Sequence, residues 1–300
     1  MKNTNRRAAK PLYLKSKIPS GENVGLLSQK LKSLNLHTVC QEARCPNRHE
    51  CWDNKTATMM ILGGICTRGC RFCNVQTGNP HQLIDQSEID AAILLVETMN
   101  LDFIVITSVD RDDLKDYGAD HFAKVVLAIK NKFPQVLVEV LIPDFNNCEA
   151  SMHVLAKSDP FVIAHNIETV ERLTPWVRDK RASYRKSLQV LKFYRTYYPL
   201  ITTKSSIMLG LGETKEEIVQ TMRDLKQSGV DLLTLGQYLM PSKKSIEVSK
   251  YYEPHEFEEL KKIAYQFNFK FVAAGPMVRS SYRAADYMKY LDASHVSKQI

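Results

Sequence analysis

The chemistry of this chain is concentrated in its cysteines. Of its seven cysteines, six lie between Cys40 and Cys73, and Cys148 lies apart from them. They form two triplets: Cys40, Cys45 and Cys51, then Cys66, Cys70 and Cys73. Disulfide frameworks are typical of small exported chains with an even number of cysteines, whereas this chain has 300 residues and an odd number. Because thiolates are also metal ligands, we expect both triplets to bind metal, most favourably as two 4Fe–4S clusters.

The second triplet has the spacing C-x3-C-x2-C. A loop of this length can present three thiolates to three corners of a cubane cluster, and we expect Gly69 to let its backbone turn without a Cβ clash. A 4Fe–4S cluster ordinarily takes four cysteine ligands, so three leave one iron open to bind a small molecule. The competing interpretation is structural zinc, which takes four protein ligands; His37 or His49 could add the fourth to the first triplet.

Short apolar runs alternate with amphipathic segments downstream of the first triplet. The β-prone runs are 57–62, 102–107, 136–142, 161–165, 204–209 and 231–235. Between them apolar residues recur at helical spacing, as in Ile218, Met222 and Leu225. This alternation predicts an α/β fold, and six strand–helix units favour a partial (β/α)6 barrel of the TIM type over an open sheet. Reactive groups collect at the C-terminal strand ends of such barrels, and the second triplet directly follows the first strand.

The composition is that of a globular protein, with 44% hydrophobic and 25% charged residues. No apolar stretch approaches the roughly 18 residues of a membrane span, and the N-terminus lacks the apolar core of a secretory signal. We therefore expect a cytoplasmic protein. Residues 1–21 are basic and contain no acid, which fits either an organelle transit segment or a solvated arm. The net charge of +8 favours acidic partners without choosing between nucleic acid and protein.

A C-x3-C-x2-C motif directly after the first strand of a parallel barrel, with Phe72 before the last cysteine, resembles the radical S-adenosylmethionine superfamily. With the C-x4-C-x5-C spacing of the first triplet, the chain resembles the lipoyl synthase family from about Leu36 to Arg283. The other blocks that carry this resemblance are Thr56–Gly64, Thr107–Asp113, His165–Val170, Gly236–Pro241 and Gly275–Tyr282. The departures from the family pattern are Arg48, His49, Gly64, Asn74 and Arg283, and none of them removes a cluster ligand.

The resemblance implies an activity, its cofactors and its partners. The activity is radical insertion of sulfur at the sixth and eighth carbons of an octanoyl group that is amide-linked to a carrier lysine. The cofactors are two 4Fe–4S clusters and S-adenosylmethionine, and the cluster on the first triplet is dismantled to supply the sulfurs. The partners are octanoylated carrier domains (glycine cleavage H protein and 2-oxoacid dehydrogenase acyltransferase subunits) and a low-potential electron donor, flavodoxin or ferredoxin. A monomer without a nucleic-acid or membrane partner is expected.

The resemblance also implies residue roles. The expected catalytic residues are Cys66, Cys70, Cys73 and Ser281, where Ser281 (alternatively Ser280) completes the cluster of Cys40, Cys45 and Cys51. The expected cofactor contacts are Phe72, Thr107, Ser108, Asn166, Glu168, Arg178 and Gln237. Arg181 is the alternative to Arg178 as a bidentate partner for a carboxylate, and the Asp110–Asp113 segment is expected to belong to the site. The implied division is an arm and cluster-binding segment over 1–56, a barrel over 57–269 and a closing extension over 270–300.

Two other function classes fit parts of the sequence. One is a radical methylthiotransferase that acts on transfer RNA, which the positive charge would suit. Such enzymes carry further domains on both sides of the barrel, and few residues remain here for them. The other is a non-catalytic cluster or zinc scaffold. Iron content together with reductive cleavage of S-adenosylmethionine would separate the three classes.

Overall fold

The fold was analysed on a computed structural model. It describes residues 11–14, 28–29, 31–33, 38–39, 47–53 and 55–282, with the side chains of Arg48 and His49 left aside. The predictions on Cys40, Cys45, the basic arm before residue 11 and the residues after 282 lie outside the described residues.

A seven-stranded parallel sheet forms the centre of the molecule. Its strands are β1 (Thr56–Ile61), β2 (Phe103–Ser108), β3 (Leu137–Leu141), β4 (Val162–Ala164), β5 (Thr202–Leu209), β6 (Leu232–Gln237) and β7 (Phe271–Gly275). The strands are hydrogen-bonded in chain order from β1 to β7, and the sheet does not close between its two edges in the described part. This confirms the predicted α/β fold and its partial barrel.

Helices connect the strands as right-handed crossovers require. They are α1 (Ser87–Met99), α2 (Ala119–Lys132), α3 (Glu149–Ala156), α4 (Tyr184–Tyr197), α5 (Lys215–Gln227) and α6 (Pro254–Gln266). Shorter helical pieces lie at Arg48–Asp53 and Thr174–Val177, with 3-10 turns at Leu12–Leu14, Phe145–Asn147 and Glu171–Leu173. No helix in the described part of the chain is long and apolar enough to cross a membrane.

Local sequence explains where α5 begins and which face it buries. The Thr214 side chain accepts a hydrogen bond from the Glu217 backbone N–H, and the Glu217 carboxylate accepts one from the Thr214 N–H. This capping box satisfies donors that the first helical turn leaves free. The predicted face of Ile218, Met222 and Leu225 is fully buried.

The sheet separates two apolar regions. Ile104 and Ile106 of β2 pack with the helices outside, whereas Phe103 and Val105 belong to a second cluster on the opposite face. Glu139 pairs in register with Val105, so it shares that inner face, where its carboxylate forms a buried ion pair with Lys204 at 2.9 Å. The interior below the C-terminal strand ends is therefore partly polar.

The sheet contains one strand more than the six predicted apolar runs. Strand β7 pairs with β6 from Leu232–Phe271 to Gly236–Gly275, inside the segment expected as an extension. The division into domains itself stays a prediction.

Candidate active site

The loop with the second triplet, hereafter the cluster loop (residues 62–78), begins at a strained turn. Leu62 has φ +67°, a left-handed conformation that non-glycine residues rarely adopt. The Glu88 carboxylate holds this turn by accepting hydrogen bonds from the N–H groups of Leu62 and Gly63, at 2.8 and 2.9 Å. A Cβ at Gly118 would lie 2.3 Å from the Leu62 side chain, so glycine is required there.

Each cysteine of the cluster loop receives one backbone N–H. Arg68 donates to the sulfur of Cys66 at 3.4 Å, and Val75 donates to that of Cys73 at 3.4 Å. The sulfur of Cys70 accepts its hydrogen bond from outside the loop, from the backbone N–H of Asp179 at 3.3 Å. Such donors stabilise thiolates. Three thiols with N–H donors on one short loop fit an iron–sulfur cluster with one iron left open.

Burial raises the pKa of these thiols. The pKa is about 11 for Cys66 and about 12 for Cys70, chiefly because burial disfavours the thiolate, and the pKa of Cys73 is raised for the same reason. A metal ligand must be a thiolate, so metal binding at this loop has to displace protons. Among the described residues, no three His, Cys, Asp or Glu side chains lie close enough to bind a single metal ion.

Arg68 ties the cluster loop to the ends of β2 and β3. Its buried guanidinium contacts three carboxylates: Asp110 at 3.2 Å, Asp112 at 2.8 Å and Asp144 at 2.7 Å. Burial raises the pKa of Asp110 to about 6, although Arg68 opposes this shift. Because Arg68 lies between two of the cysteines, these ion pairs fix where the thiols stand relative to the strand ends.

The segment that follows helix Thr174–Val177 holds the other side of the cluster loop. Asp179 accepts the N–H of Gly69 at 2.8 Å and binds Arg181, whose guanidinium also reaches Asp112 at 3.3 Å and the Thr67 carbonyl. Arg181 is thereby committed to the loop. The prediction about Gly69 is wrong: its φ is not positive, and an added Cβ would come no closer than 3.8 Å to another atom. What Gly69 contributes is its backbone N–H.

A cavity of about 150 Å³ opens at the C-terminal ends of β2, β3 and β4, beside Cys70. Six of the seven predicted cofactor contacts line it: Phe72, Thr107, Ser108, Asn166, Glu168 and Arg178. Lining residues without a predicted cofactor contact include Arg68, Asp110, Asp144 and His165. Asp110 and His165 lie in the segments Asp110–Asp113 and His165–Val170, which the sequence analysis named. Nothing in the sequence singled out Arg68 or Asp144.

The polar groups of the cavity are held in defined positions. Glu168 has φ +69° and receives the Asn166 amide at 3.1 Å. Burial raises the pKa of the Glu168 carboxyl, and Arg178 opposes the shift. The amide oxygen of Asn166 is buried without a hydrogen-bond partner in the described structure. An orphaned acceptor at a cavity wall suits a ligand that brings its own donor.

Arg178 is oriented through a chain of hydrogen bonds. It donates to the Ser187 hydroxyl at 2.8 Å, and that hydroxyl lies 2.8 Å from Nε2 of His165. Nδ1 of His165 lies 2.9 Å from the Ile142 carbonyl, which can only accept, so Nδ1 carries the proton. Burial lowers the pKa of His165 to about 4, which keeps the ring neutral. The arginine can therefore meet an anionic ligand while a neutral ring fixes its hydroxyl partner.

Gln237, the seventh predicted contact, does not line this cavity. Its amide nitrogen donates to the carbonyls of Leu209, Tyr238 and Lys250, and its oxygen accepts the N–H of Tyr252 at 2.8 Å. The side chain is 2% exposed. It joins the loops after β5 and β6 and has no free donor on that nitrogen for a ligand.

The N- and C-terminal segments meet above β1. The Tyr282 hydroxyl donates to Glu50 at 2.8 Å across 232 residues, and the Asn47 amide donates to the Met277 carbonyl at 2.6 Å. Cys51 is buried on the helix that carries Glu50, and Ser281 precedes Tyr282. The structure thus brings the chain around Cys51 and Ser281 into one neighbourhood, whereas Cys40 and Cys45 lie outside the described residues.

Gly236 allows the C-terminal segment to pass close to the end of the sheet. A Cβ at Gly236 would lie 2.1 Å from the backbone oxygen of Val278. The segment Pro276–Tyr282 therefore crosses directly over the end of β6. No residue with a side chain fits at position 236 without moving that segment.

Two family models match the chain. The model of the Radical SAM superfamily matches residues 60–225, and the N-terminal domain of lipoyl synthase of the Radical SAM family matches residues 1–45. The first match includes the cluster loop and every residue that lines the cavity.

Curated relatives match over most of their length. A mitochondrial lipoyl synthase of Schizosaccharomyces pombe is 49% identical over 92% of this chain and 76% of the relative. A lipoyl synthase of Thermus thermophilus is 50% identical, over 92% and 85%. One of Myxococcus xanthus is 49% identical, over 93% of each.

Solved structures with little sequence similarity share the fold. Methylornithine synthase (PylB) is 14% identical, with a TM-score of 0.54, and the match covers 94% of this chain and 88% of that one. HydG, a maturase of the [FeFe]-hydrogenase, is 15% identical with a TM-score of 0.57, over 89% and 64%. At this level of identity the likenesses show the fold alone.

Proposed function

This chain belongs to the lipoyl synthase family of radical S-adenosylmethionine enzymes, and from that premise we propose how its residues serve the reaction. It is a sulfurtransferase that inserts sulfur at the sixth and eighth carbons of a protein-bound octanoyl-lysine. Membership of this family favours sulfur insertion over the transfer-RNA methylthiotransferase and the non-catalytic scaffold.

Two 4Fe–4S clusters are proposed for each chain. Cys66, Cys70 and Cys73 hold the first of them. The second takes Cys40, Cys45 and Cys51, with Ser281 as the oxygen ligand. When bound, these clusters and S-adenosylmethionine supply an electron, a carbon-centred radical that abstracts hydrogen, and sulfur.

The chain's own residues bind and orient. Arg178 binds the carboxylate of S-adenosylmethionine. Two arginines line the cavity, and Arg68 is a residue of the cluster loop held by its own ion pairs, which leaves Arg178 for the ligand. Asn166 and Glu168 take hydroxyl or amino donors, and Thr107 and Ser108 line the same cavity. Phe72 packs beside Cys70 and helps to exclude water.

The observation that carries the two-cluster proposal is the contact between Tyr282 and Glu50. It supports a site shared by the helix of Cys51 and the segment of Ser281. With the serine this cluster has four protein ligands, whereas the cluster on Cys66, Cys70 and Cys73 keeps one iron open for S-adenosylmethionine.

Anaerobic reconstitution tests the proposal. We expect about eight irons and eight sulfides per chain, reductive cleavage of S-adenosylmethionine, and an octanoylated carrier that gains two sulfurs and loses two hydrogens. Cys51→Ala should retain about four irons and cofactor cleavage but lose sulfur insertion, whereas Cys70→Ala should lose cleavage as well. Four irons in the unmodified chain, or zinc alone, would refute the two-cluster proposal.

The partners and location are proposed from the family. The substrates are octanoylated carrier domains, exemplified by glycine cleavage H protein and 2-oxoacid dehydrogenase acyltransferase subunits, and the reductant is flavodoxin or ferredoxin. A monomer in the cytoplasm is proposed, although the named relatives include a mitochondrial protein as well as bacterial ones.

A further inference from the structure

The cluster loop has two sides with different exposure. Cys70 and Phe72 line the cavity, whereas Arg71 between them is exposed to solvent and is not among the residues that line it. The cluster loop therefore presents a side chain to solvent, outside the cavity, directly next to one of its cysteines.

Two other segments flank Arg71 on this exposed side. The Arg71 N–H donates to the Val177 carbonyl at 2.9 Å, and the Arg71 carbonyl accepts the N–H of Ile246 at 3.2 Å. The Arg71 guanidinium stacks over the Trp176 ring at 4.7 Å from its centroid. Trp176 is still 44% exposed, so this ring offers a rigid apolar surface to a partner.

The charges on these segments are mostly positive. We call the exposed side chains Arg71, Trp176, Lys180, Lys243 and Lys244 the basic face. Among the described residues its four cations make no ion pair, and Glu247 is the exposed acid beside them. Arg181, by contrast, is neutralised by Asp179 and Asp112. A positive surface with an exposed aromatic ring suits an acidic protein partner.

We propose that the basic face docks an acidic one-electron reductant protein, whose redox centre then lies beside the cluster loop at Arg71. This rests on the proposed function, since Cys66, Cys70 and Cys73 must hold the group that is reduced. The donor loses one electron and that group gains it, with no bond made or broken in the donor. An octanoylated carrier domain is a weaker choice of occupant, because its acyl chain must enter the cavity and no residue of the basic face lines that cavity.

Binding of purified oxidised flavodoxin to the reconstituted enzyme provides the test, by calorimetry at low and at physiological salt. The variant Lys243→Glu with Lys244→Glu should raise the Kd about tenfold at low salt and flatten its salt dependence, since surface charges act over about one Debye length. Lys180→Glu, on a different segment, should weaken binding in the same direction.

The matched control carries the same charge change at the other end of the barrel. Lys157→Glu with Lys262→Glu alters exposed lysines beyond α3 and near the end of α6, and should leave the Kd unchanged. Iron content and bleaching by dithionite should equal those of the unmodified chain in every variant. An unmodified chain that bound no iron, or was not bleached by dithionite, would refute the proposed function instead.

Two results would overturn the docking proposal while leaving the function intact. One is an unchanged flavodoxin Kd in variants that bind iron and are bleached by dithionite normally. The other is a basic face whose charge reversal weakens binding of the octanoylated carrier domain and not of flavodoxin.

Discussion

Arg68 concentrates the electrostatics of the cluster loop in one side chain. Its guanidinium is 3% exposed, and Asp144 beneath it is fully buried. Asp144 binds it through two nitrogen–oxygen contacts and Asp112 through three, and a planar arginine fork can do this where a lysine cannot. Removing the cation would leave buried carboxylates without a counter-charge.

Arg68→Met should therefore destabilise the fold by about 3–5 kcal/mol, the usual cost of breaking a buried ion pair on one side. Urea unfolding measures this change. Arg172→Met is the matched control, because the Arg172–Glu217 pair is exposed, and it should leave the free energy of unfolding nearly unchanged. Equal losses in the two variants would contradict the role given to Arg68.

His165 makes stability depend on pH in a direction that burial determines. Its pKa is about 4 in the folded chain and about 6.5 when unfolded, so between these values only the unfolded chain binds the proton. The contribution of the neutral His165 ring to the stability of the fold is therefore present above pH 6.5 and is lost as the pH falls toward 4. Between pH 7 and pH 4.5 the free energy of unfolding, measured with urea, should fall by about 2–3 kcal/mol more in the unmodified chain than in His165→Gln. If the unfolding free energies of the two chains changed in parallel with pH, this prediction would be contradicted.

Residue spacing predicted the thiols but not what holds them. The six cysteines and the six predicted residues that line the cavity stood out because their types carry chemistry at short spacing or in recognisable blocks, and their roles as ligands stay predictions. Asp179, whose backbone serves Cys70 across 109 residues, and Asp144, 76 residues from Arg68, had no such signal. Gln237 illustrates the opposite error: a polar residue at a strand end can serve neighbouring loops instead of a ligand.

At the scale of elements, Gly236 connects the end of β6 to the segment Pro276–Tyr282. Gly236→Ala would force its Cβ within 2.1 Å of the Val278 carbonyl, so the segment must move and pull Tyr282 from Glu50. We expect the reconstituted variant to hold about four irons instead of about eight, with cleavage of S-adenosylmethionine retained. Iron analysis checks this.

The control for that variant is Gly64→Ala, which also adds one methyl group to a glycine, here within the cluster loop. An added Cβ there meets nothing within 4 Å, and its φ is not in the left-handed region. Its iron content should match that of the unmodified chain. A full complement of iron in Gly236→Ala would show that the segment adapts without losing its ligand.

Six of the seven strands could be predicted because each is an apolar run rich in β-branched or bulky residues. Strand β7 lacks that signal: its sequence Phe-Val-Ala-Ala-Gly reads as weakly β-prone, since alanine and glycine are depleted in strands. Its pairing partner β6, and not its own propensity, determines its place. Sequence patterns report local preference, whereas an edge strand is specified largely by the neighbour it completes.

At the scale of the whole molecule, β7 decides where the barrel ends. Five residues of β6 pair with β7, and Val272 is 1% exposed, so the barrel loses both backbone partners and apolar cover without it.

A chain truncated after Phe269 should expose the β6 edge and aggregate or melt at a much lower temperature. A chain truncated after Gly275 keeps all seven strands and should unfold cooperatively, bind about four irons and still cleave S-adenosylmethionine. Thermal unfolding followed by circular dichroism, with iron analysis of the soluble fraction, compares the two. If both truncated chains melt alike, residue 269 is the end of the barrel, as the sequence predicts; if only the longer one folds, β7 belongs to the barrel and the extension begins after Gly275.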